Sequence, residues 1–361
     1  MATKKYYSLE NILKHNAQYN ILLGMRSNGK SYAVKYHVLQ KAYNHKGNFI
    51  YMRRYKDYIK GKDVESYFRD MPISKITRNE YEGISVYRGT IYFCNFDDND
   101  KVIRGLEIGR AVDLNGMESY KSQAFPDITD IIFEEFVTNN LYLVNEPNVL
   151  QNFVSTIARD RNITVWLIAN TISRVCPYFQ EWSLRNIPKQ AQGTIDDYNF
   201  DRVNVDGEIY TTKIAVENCA NTGTSSKMFF GTVADSITGG QWEAKDYPHM
   251  PIDEKGREKP YVKLYELLYS DMGFSFILAL CIDEETGGQW VYVKPHTTAR
   301  FIRRKVTNEF STDPFITNSL SDDIPAEVMI RKLINNNKIC YSDNLTGSDF
   351  EAVTLNRKGR L

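Results

Sequence analysis

Four short apolar runs, at 20–24, 48–52, 128–133 and 163–169, stand out from the polar and amphipathic first half of the chain. Each is bounded by polar residues or glycine and is too short for a buried helix, so each predicts a strand covered on both faces. Helical spacing fills the intervals. One helix runs from Tyr32 to about Ala42. Another, Asn148 to Arg161, places Leu150, Phe153, Val154 and Ile157 on one face. Strands alternating with helices predict an α/β unit built on an open, mainly parallel sheet.

The pattern weakens from Tyr55 to Asp127, where a polar helix (Asp63 to Phe68) precedes strand-like segments at Ser85–Tyr87 and Thr90–Phe93. The acidic stretch Asp97 to Asp100 lacks the later bidentate glutamate of a calcium loop and is expected at a solvated hairpin tip. Beyond about Asp196 the character changes. Asp206-Gly207 is a hairpin signal, Asn221 to Ser226 is Ser/Thr-rich, and Pro248 to Pro260 is charged and bounded by proline. Tyr261–Tyr269, Phe274–Ile282 and Gln289–Val293 predict an antiparallel meander, and Pro325 opens an amphipathic helix carrying Val328, Met329 and Leu333. The expected organisation is a first domain over 1–197, a linker over 198–226 and a smaller α+β domain over 227–361.

Composition narrows this little. Lysine plus arginine and aspartate plus glutamate both number 45, so no overall basic charge marks a nucleic-acid-coating protein, although a local basic face remains open. One such face is Arg300, Arg303, Arg304 and Lys305, with Arg357, Lys358 and Arg360 in the tail; both read equally as solvated surface. Five scattered cysteines without a C-x-x-C pair suggest reduced thiols rather than a zinc site or a disulfide framework. The longest apolar run, Phe274 to Ile282, is far too short to span a bilayer, and residues 1–20 lack an apolar signal core. A cytoplasmic protein is expected.

The chemistry concentrates after the first strand. Gly24-Met25-Arg26-Ser27-Asn28-Gly29-Lys30-Ser31 reads G-x-x-x-x-G-K-S between a strand and a helix, the setting in which a Walker A loop cradles phosphates. Gly29 lets backbone N–H groups turn inward, Lys30 would reach the β- and γ-phosphates of ATP, and Ser31 would ligate Mg²⁺. The third strand ends in Glu134-Glu135, the form of a Walker B element. The first acid would hold the metal and the second activate the attacking water. The usual first acid is aspartate; here it is glutamate. Asp130 lies too early in the strand to replace it. Asn170, at the tip of the next strand, suits a γ-phosphate sensor or a turn cap. Arg53-Arg54 either face the nucleotide or are surface cations, and Arg159 and Arg161 either complement a helix dipole or reach a neighbouring subunit's γ-phosphate.

The runs I-L-L-G-M-R-S-N-G-K-S-Y, F-I-Y-M-R-R-Y-K, I-I-F-E-E-F and L-I-A-N-T-I-S-R-V-C-P-Y-F together resemble the DNA-packaging ATPases of phi29-like tailed phages, over roughly residues 20–180. The resemblance implies a terminase-type P-loop motor of the additional-strand, catalytic-glutamate (ASCE) class. Such a motor forms a homo-oligomeric, pentameric ring that hydrolyses ATP to drive double-stranded DNA through a portal into a procapsid, in some relatives with a packaging RNA. It implies Glu135 as catalytic acid, Glu134 and Ser31 at the metal, and Arg159 (or Arg161) as a finger acting in trans. It also implies that Arg26 touches the γ-phosphate and that Lys121 is the lysine preceding the Walker B strand. The C-terminal domain would be RNase H-like. Its meander strands hold few acids, Glu266 and Asp283 to Glu285, so a degenerate nuclease that binds nucleic acid without cutting is expected. The implied location is the host cytoplasm, transiently the portal vertex, and not the mature virion. Two alternatives remain: a terminase that also cleaves DNA, and a nucleotide-gated DNA-binding protein with little turnover.

Overall fold

The computed structural model describes residues 7–121, 123–159, 161–203, 207–220, 242, 245–250, 260–297 and 301–356. Asn221 to Ser226, Asp206, most of Pro248 to Pro260, Arg300 and the basic tail lie outside the described residues. In chain order the first unit comprises α1 (Glu10–Leu13), β1 (Tyr19–Leu23), α2 (Lys30–Tyr43), β2 (Asn48–Arg53), α3 (Gly61–Phe68), α4 (Ile73–Ile76), β3 (Gly83–Tyr87), β4 (Thr90–Phe96) and β5 (Val102–Asp113). It continues through β6 (Ile128–Glu134), α5 (Glu146–Ala158), β7 (Thr164–Ile168), α6 (Pro177–Glu181), β8 (Thr194–Val203) and β9 (Ile209–Asn218). A nine-stranded sheet results, in the order β3-β4-β5-β2-β6-β7-β1-β9-β8. Its six central strands, β5 to β9 in that order, run parallel, and antiparallel hairpin partners close both edges.

β1, β2, β6 and β7 are mainly apolar because alternate residues feed two separate cores. Ile21, Ile131, Phe133, Val165 and Leu167 face the side covered by α5 and α6. Leu22, Ile132, Trp166 and Ile168 face the side covered by α2. This arrangement confirms the α/β, open parallel-sheet expectation for the first unit.

Three segments differ from expectation. Within the segment expected as linker, residues 198–203 belong to β8 and residues 209–218 form β9, which pairs in parallel directly with β1 from Tyr19↔Ile214 to Leu23↔Asn218. Its buried half, Ile214 to Asn218, lies beyond an exposed hairpin end at Ile209 and Tyr210, which gave the stretch its linker-like look. β5, not anticipated, is the sheet's longest strand; Gly105 and Gly109 with interspersed charges break its apolar run. Asp97 to Asp100 do form the β4–β5 hairpin tip, where Asp97 Oδ1 accepts from the backbone N–H groups of Asn99 and Lys101.

The second unit holds β10 (Val262–Asp271), β11 (Phe274–Ile282), β12 (Gln289–Pro295), β13 (Lys305–Thr307), β14 (Ile316–Thr317), α7 (Pro325–Asn335), β15 (Ile339–Tyr341) and α8 (Asn344–Asn356). Its six-stranded sheet is ordered β14-β13-β10-β11-β12-β15: the expected antiparallel meander, extended on both sides by parallel strands and packed against both helices. This is the smaller α+β unit expected after the first domain. Helix α8, a span for which the sequence pattern predicted no element, buries Phe350 and Val353 against the sheet. Val175, five residues past Asn170, packs into this second core, and Arg174 pairs with Asp349 beside it. No helix among the described residues is long and apolar enough to cross a membrane.

Candidate nucleotide-binding site

β1 ends at Leu23, and the chain turns through Gly24 (φ +150°) and Gly29 (φ +98°) before α2 begins at Lys30. A Cβ on Gly24 would lie 3.2 Å from Cys219 Cβ and 3.2 Å from Asn28 Nδ2, so the loop closes tightly on the chain leaving β9. Asn28 is buried; its Oδ1 accepts from the Lys30 N–H at 3.2 Å while its Nδ2 has no hydrogen-bond partner. An unsatisfied buried donor in a loop that opens a helix is suited to an oxyanion.

Lys30 is buried and folds back on the loop, donating through Nζ to Met25 O at 2.6 Å, Gly24 O at 3.1 Å and Asn170 Oδ1 at 3.4 Å. Burial pulls its pKa down to about 8, against the opposing influence of Cys219 and Glu134. Asn170 follows β7, so its position at a strand tip places it on the phosphate side of the sheet. Loop residues Ser27 to Ser31 line a cleft of about 1040 Å³ that extends to Tyr7, Tyr32 and Tyr36. Ser8, Leu9, Glu10 and Leu13 line the same cleft.

Glu134 closes β6 and is buried. Burial raises its carboxyl pKa, while hydrogen bonds from Tyr67 and Ser31 hold it down. The bond from Tyr67 Oη measures 2.6 Å. A carboxylate and a serine hydroxyl brought together beside a phosphate loop form an oxygen donor set of the kind Mg²⁺ takes, so the residues fit that cation. Glu135 is the first residue beyond the strand, at φ +55°, and its side chain is largely exposed. Its Oε2 accepts from Arg53 Nη2 at 2.5 Å. Arg26, Glu135 and Asn170 line a second cavity, of about 260 Å³, that shares Asn170 with the first.

Arg53 and Arg54 are not solvated cations. Arg54 is buried in a two-point pair with Glu146 (Nε to Oε2 2.7 Å, Nη2 to Oε1 2.8 Å) and donates to the carbonyls of Glu135 (3.3 Å) and Phe136 (2.7 Å). It fixes the backbone on which the second acid sits. Asp130 is buried at the other end of β6, bound to Lys41, Thr129 and Trp166 Nε1, as its early position in the strand led us to expect.

Arg159 is not in this cluster. It caps α5 at φ +40°, is exposed, and donates to Gln123 O at 3.3 Å, near the start of β6 and so at the end of the sheet opposite Glu134. Arg161 donates to the carbonyls of Phe125, Pro126, Ile128 and Ile157 and staples α5 to the chain entering β6. Lys121 pairs with Glu118 at 2.5 Å.

The basic run of the second unit is largely consumed internally. Arg304 is buried in a two-point pair with Glu327, Lys305 meets Glu309 at 2.9 Å, and Arg303 lies over the Phe315 ring at 3.6 Å. Glu266 pairs with Lys263, and Asp283 caps its own loop by accepting from the Glu285 N–H. Among the described residues no three His, Cys, Asp or Glu side chains are grouped to hold a metal.

Sequence reasoning assigned no role to Tyr67. Its only trace is a tyrosine near the end of a polar helix, and nothing in the local pattern says that the helix abuts Glu134.

The family model described as podovirus DNA encapsidation protein (Gp16) matches residues 1–295. A DNA packaging protein of Bacillus phage B103 is 33% identical over 177 residues, 48% of this chain and 50% of that one. The DNA packaging protein of Bacillus phage phi29 is 28% identical over 190 residues, 50% of each. The chain thus spans about half the length of the curated relatives it matches. The bacteriophage Phi-29 viral genome packaging motor assembly superposes with a TM-score of 0.54 at 22% identity, over 98% of this chain and 99% of that one, and shares the fold.

Proposed function

The chain belongs to the podovirus DNA encapsidation protein (Gp16) family, and from that premise we propose that it is an ATP-hydrolysing motor that drives double-stranded DNA into a procapsid. The observation that carries this reading is the meeting of Ser31 and Glu134 beside the Walker A loop, with Glu135 one residue further on.

In this reading the inward N–H groups of the loop and Lys30 bind the β- and γ-phosphates, which replace the Met25 and Gly24 carbonyls as partners of the ammonium. Ser31 and Glu134 hold Mg²⁺, which when bound neutralises charge on the phosphates. Glu135 accepts a proton from the attacking water, once it has left Arg53. Asn170 and Arg26 face the γ-phosphate, and the base occupies the part of the cleft near Tyr7, Tyr32 and Tyr36. Arg159 lies too far along the sheet to serve its own site and acts on a neighbouring copy in a pentameric ring. The ATPase unit then runs to about residue 220, and the second unit, from about 242, contacts nucleic acid without cutting it. The portal and, where one exists, a packaging RNA are the remaining partners, and the protein works in the host cytoplasm and at the portal vertex.

The test is the steady-state ATPase rate with and without double-stranded DNA, for wild type and Glu135→Gln. A DNA-stimulated rate lost in the variant, by about 10²-fold or more, is the expected result. Turnover indifferent to both the DNA and the substitution, on procapsids as in solution, would overturn the reading.

A further inference from the structure

Glu134 stands where a shorter aspartate is usual, and its additional methylene gives the carboxylate an extra torsion to fix. Tyr67 meets that need from a separate element. The tyrosine occupies the penultimate position of α3, and its hydroxyl donates to Glu134 Oε1 at 2.6 Å. Its ring is clamped in turn: Tyr51 of β2 packs against it at 4.5 Å between centroids, and Lys35 Nζ lies 4.6 Å over it. The same ammonium donates to the Tyr67 carbonyl at 2.7 Å and to Asp70 Oδ1 at 2.5 Å, which ties α3 to α2, the helix that carries Ser31. One hydroxyl uses one of the roughly four acceptor positions of a carboxylate, so the rest stay available to Ser31 and a cation.

We propose that Tyr67 is a positioning residue for the metal-binding carboxylate, holding Glu134 in the one arrangement in which a glutamate can do the work of the shorter acid. The proposal rests on the nucleotide-site reading above. It goes beyond it by naming a residue outside both Walker elements whose hydroxyl sets the affinity for the divalent cation. Partners that orient a metal-ligating side chain typically change metal affinity 10–100-fold when removed.

The test uses Mn²⁺ with ADP on the full chain, with bound Mn²⁺ read by electron paramagnetic resonance. Tyr67→Phe keeps the ring against Tyr51 and removes the hydroxyl. It should weaken Mn²⁺ binding about tenfold, and leave ADP binding in EDTA and the thermal unfolding midpoint near wild type. Glu134→Asp withdraws the carboxylate from the hydroxyl. It should by itself weaken Mn²⁺ binding, although aspartate is the commoner acid there, and in that background Tyr67→Phe should add nothing further. Unchanged Mn²⁺ affinity in Tyr67→Phe, the same loss in both backgrounds, or tighter binding by Glu134→Asp would overturn the proposal. A wild-type chain that binds ADP·Mn²⁺ no better than Lys30→Ala would instead overturn the nucleotide-site reading itself, and this proposal with it.

Discussion

Arg53 Nη2 donates to Glu135 Oε2 at 2.5 Å, so the carboxylate assigned to activate water is paired with a cation. The guanidinium also reaches Tyr51 Oη at 3.5 Å and lies 5.1 Å over the Tyr58 ring, while Glu135 remains largely exposed. An acid in this pair has an oxygen occupied and must turn away before it can take a proton. Arg53→Ala should therefore raise the DNA-independent ATPase rate and shrink the stimulation by DNA. The pair is partly exposed, so the change should be up to about fivefold, the equivalent of about 1 kcal/mol. Steady-state rates with and without DNA measure it, and a basal rate unchanged by the substitution would show that the pair restrains nothing.

The adjacent pair is structural. Arg54 and Glu146 are both buried, and Glu146 also accepts from Tyr178 Oη at 3.0 Å and from the Leu143 N–H at 2.8 Å. Arg54→Ala would strand a buried carboxylate and cost about 3–5 kcal/mol of stability. Chemical denaturation should show the loss, and Glu146→Gln in the Arg54→Ala background should recover part of it because the stranded charge is then removed. A midpoint unmoved by Arg54→Ala would contradict the burial argument.

What the sequence made legible follows physical lines. β1, β2, β6 and β7 could be read because a parallel strand covered on both faces is apolar at most positions, and the phosphate loop because its glycines and lysine are fixed by local backbone geometry. β9 was misread as linker because its informative half is only five residues long and follows a polar, exposed hairpin. β5 escaped because Gly109 meets the β2 backbone so closely that a Cβ there would lie 2.2 Å from Phe49 O, which puts a glycine where a strand pattern asks for a side chain. Helix α8 escaped for a related reason: a Cβ on Gly347 would lie 2.4 Å from the Tyr247 ring. The cationic run at 303–305 looked like a surface because its main counter-ion, Glu327, is 23 residues away in sequence from Arg304. Long-range partners of this kind, Tyr67 with Glu134 among them, leave no periodic trace.

Acid should loosen the second unit through Glu327. Although burial works to raise its carboxyl pKa, hydrogen bonds from Arg304, the Ser321 N–H and Tyr265 outweigh that and hold it below the ordinary glutamate value. A group depressed in the folded state contributes stability that is fully present above its unfolded pKa, about 4.3, and is lost as pH falls through the folded value. Wild type should therefore lose thermal stability more steeply than Glu327→Gln on titration from pH 6 to about pH 3. Parallel curves for the two proteins would show that the carboxylate is not the linked group.

The two arginines after α5 should separate by phenotype. Arg161 donates to four backbone carbonyls, at 2.6, 2.7 and 3.1 Å for Phe125, Ile157 and Ile128, with Pro126 as the fourth. Arg161→Ala should thus cost about 2 kcal/mol or more of stability through loss of charge-assisted bonds. Arg159 is exposed, with one bond at 3.3 Å to Gln123 O, and Arg159→Ala should leave the unfolding midpoint close to wild type. Its expected effect is on hydrolysis: about 10³-fold or more lost with ATP binding intact, the scale of an arginine finger. Because Arg159 lies at the opposite end of β6 from Glu135, the two defects should complement across subunits. Mixing Arg159→Ala with Glu135→Gln creates interfaces at which one copy supplies the carboxylate and the other the guanidinium. Recovered ATPase activity in the mixture is the expected outcome. Normal activity of Arg159→Ala alone would remove it from the mechanism, and a mixture as inactive as its two components would argue against action between copies.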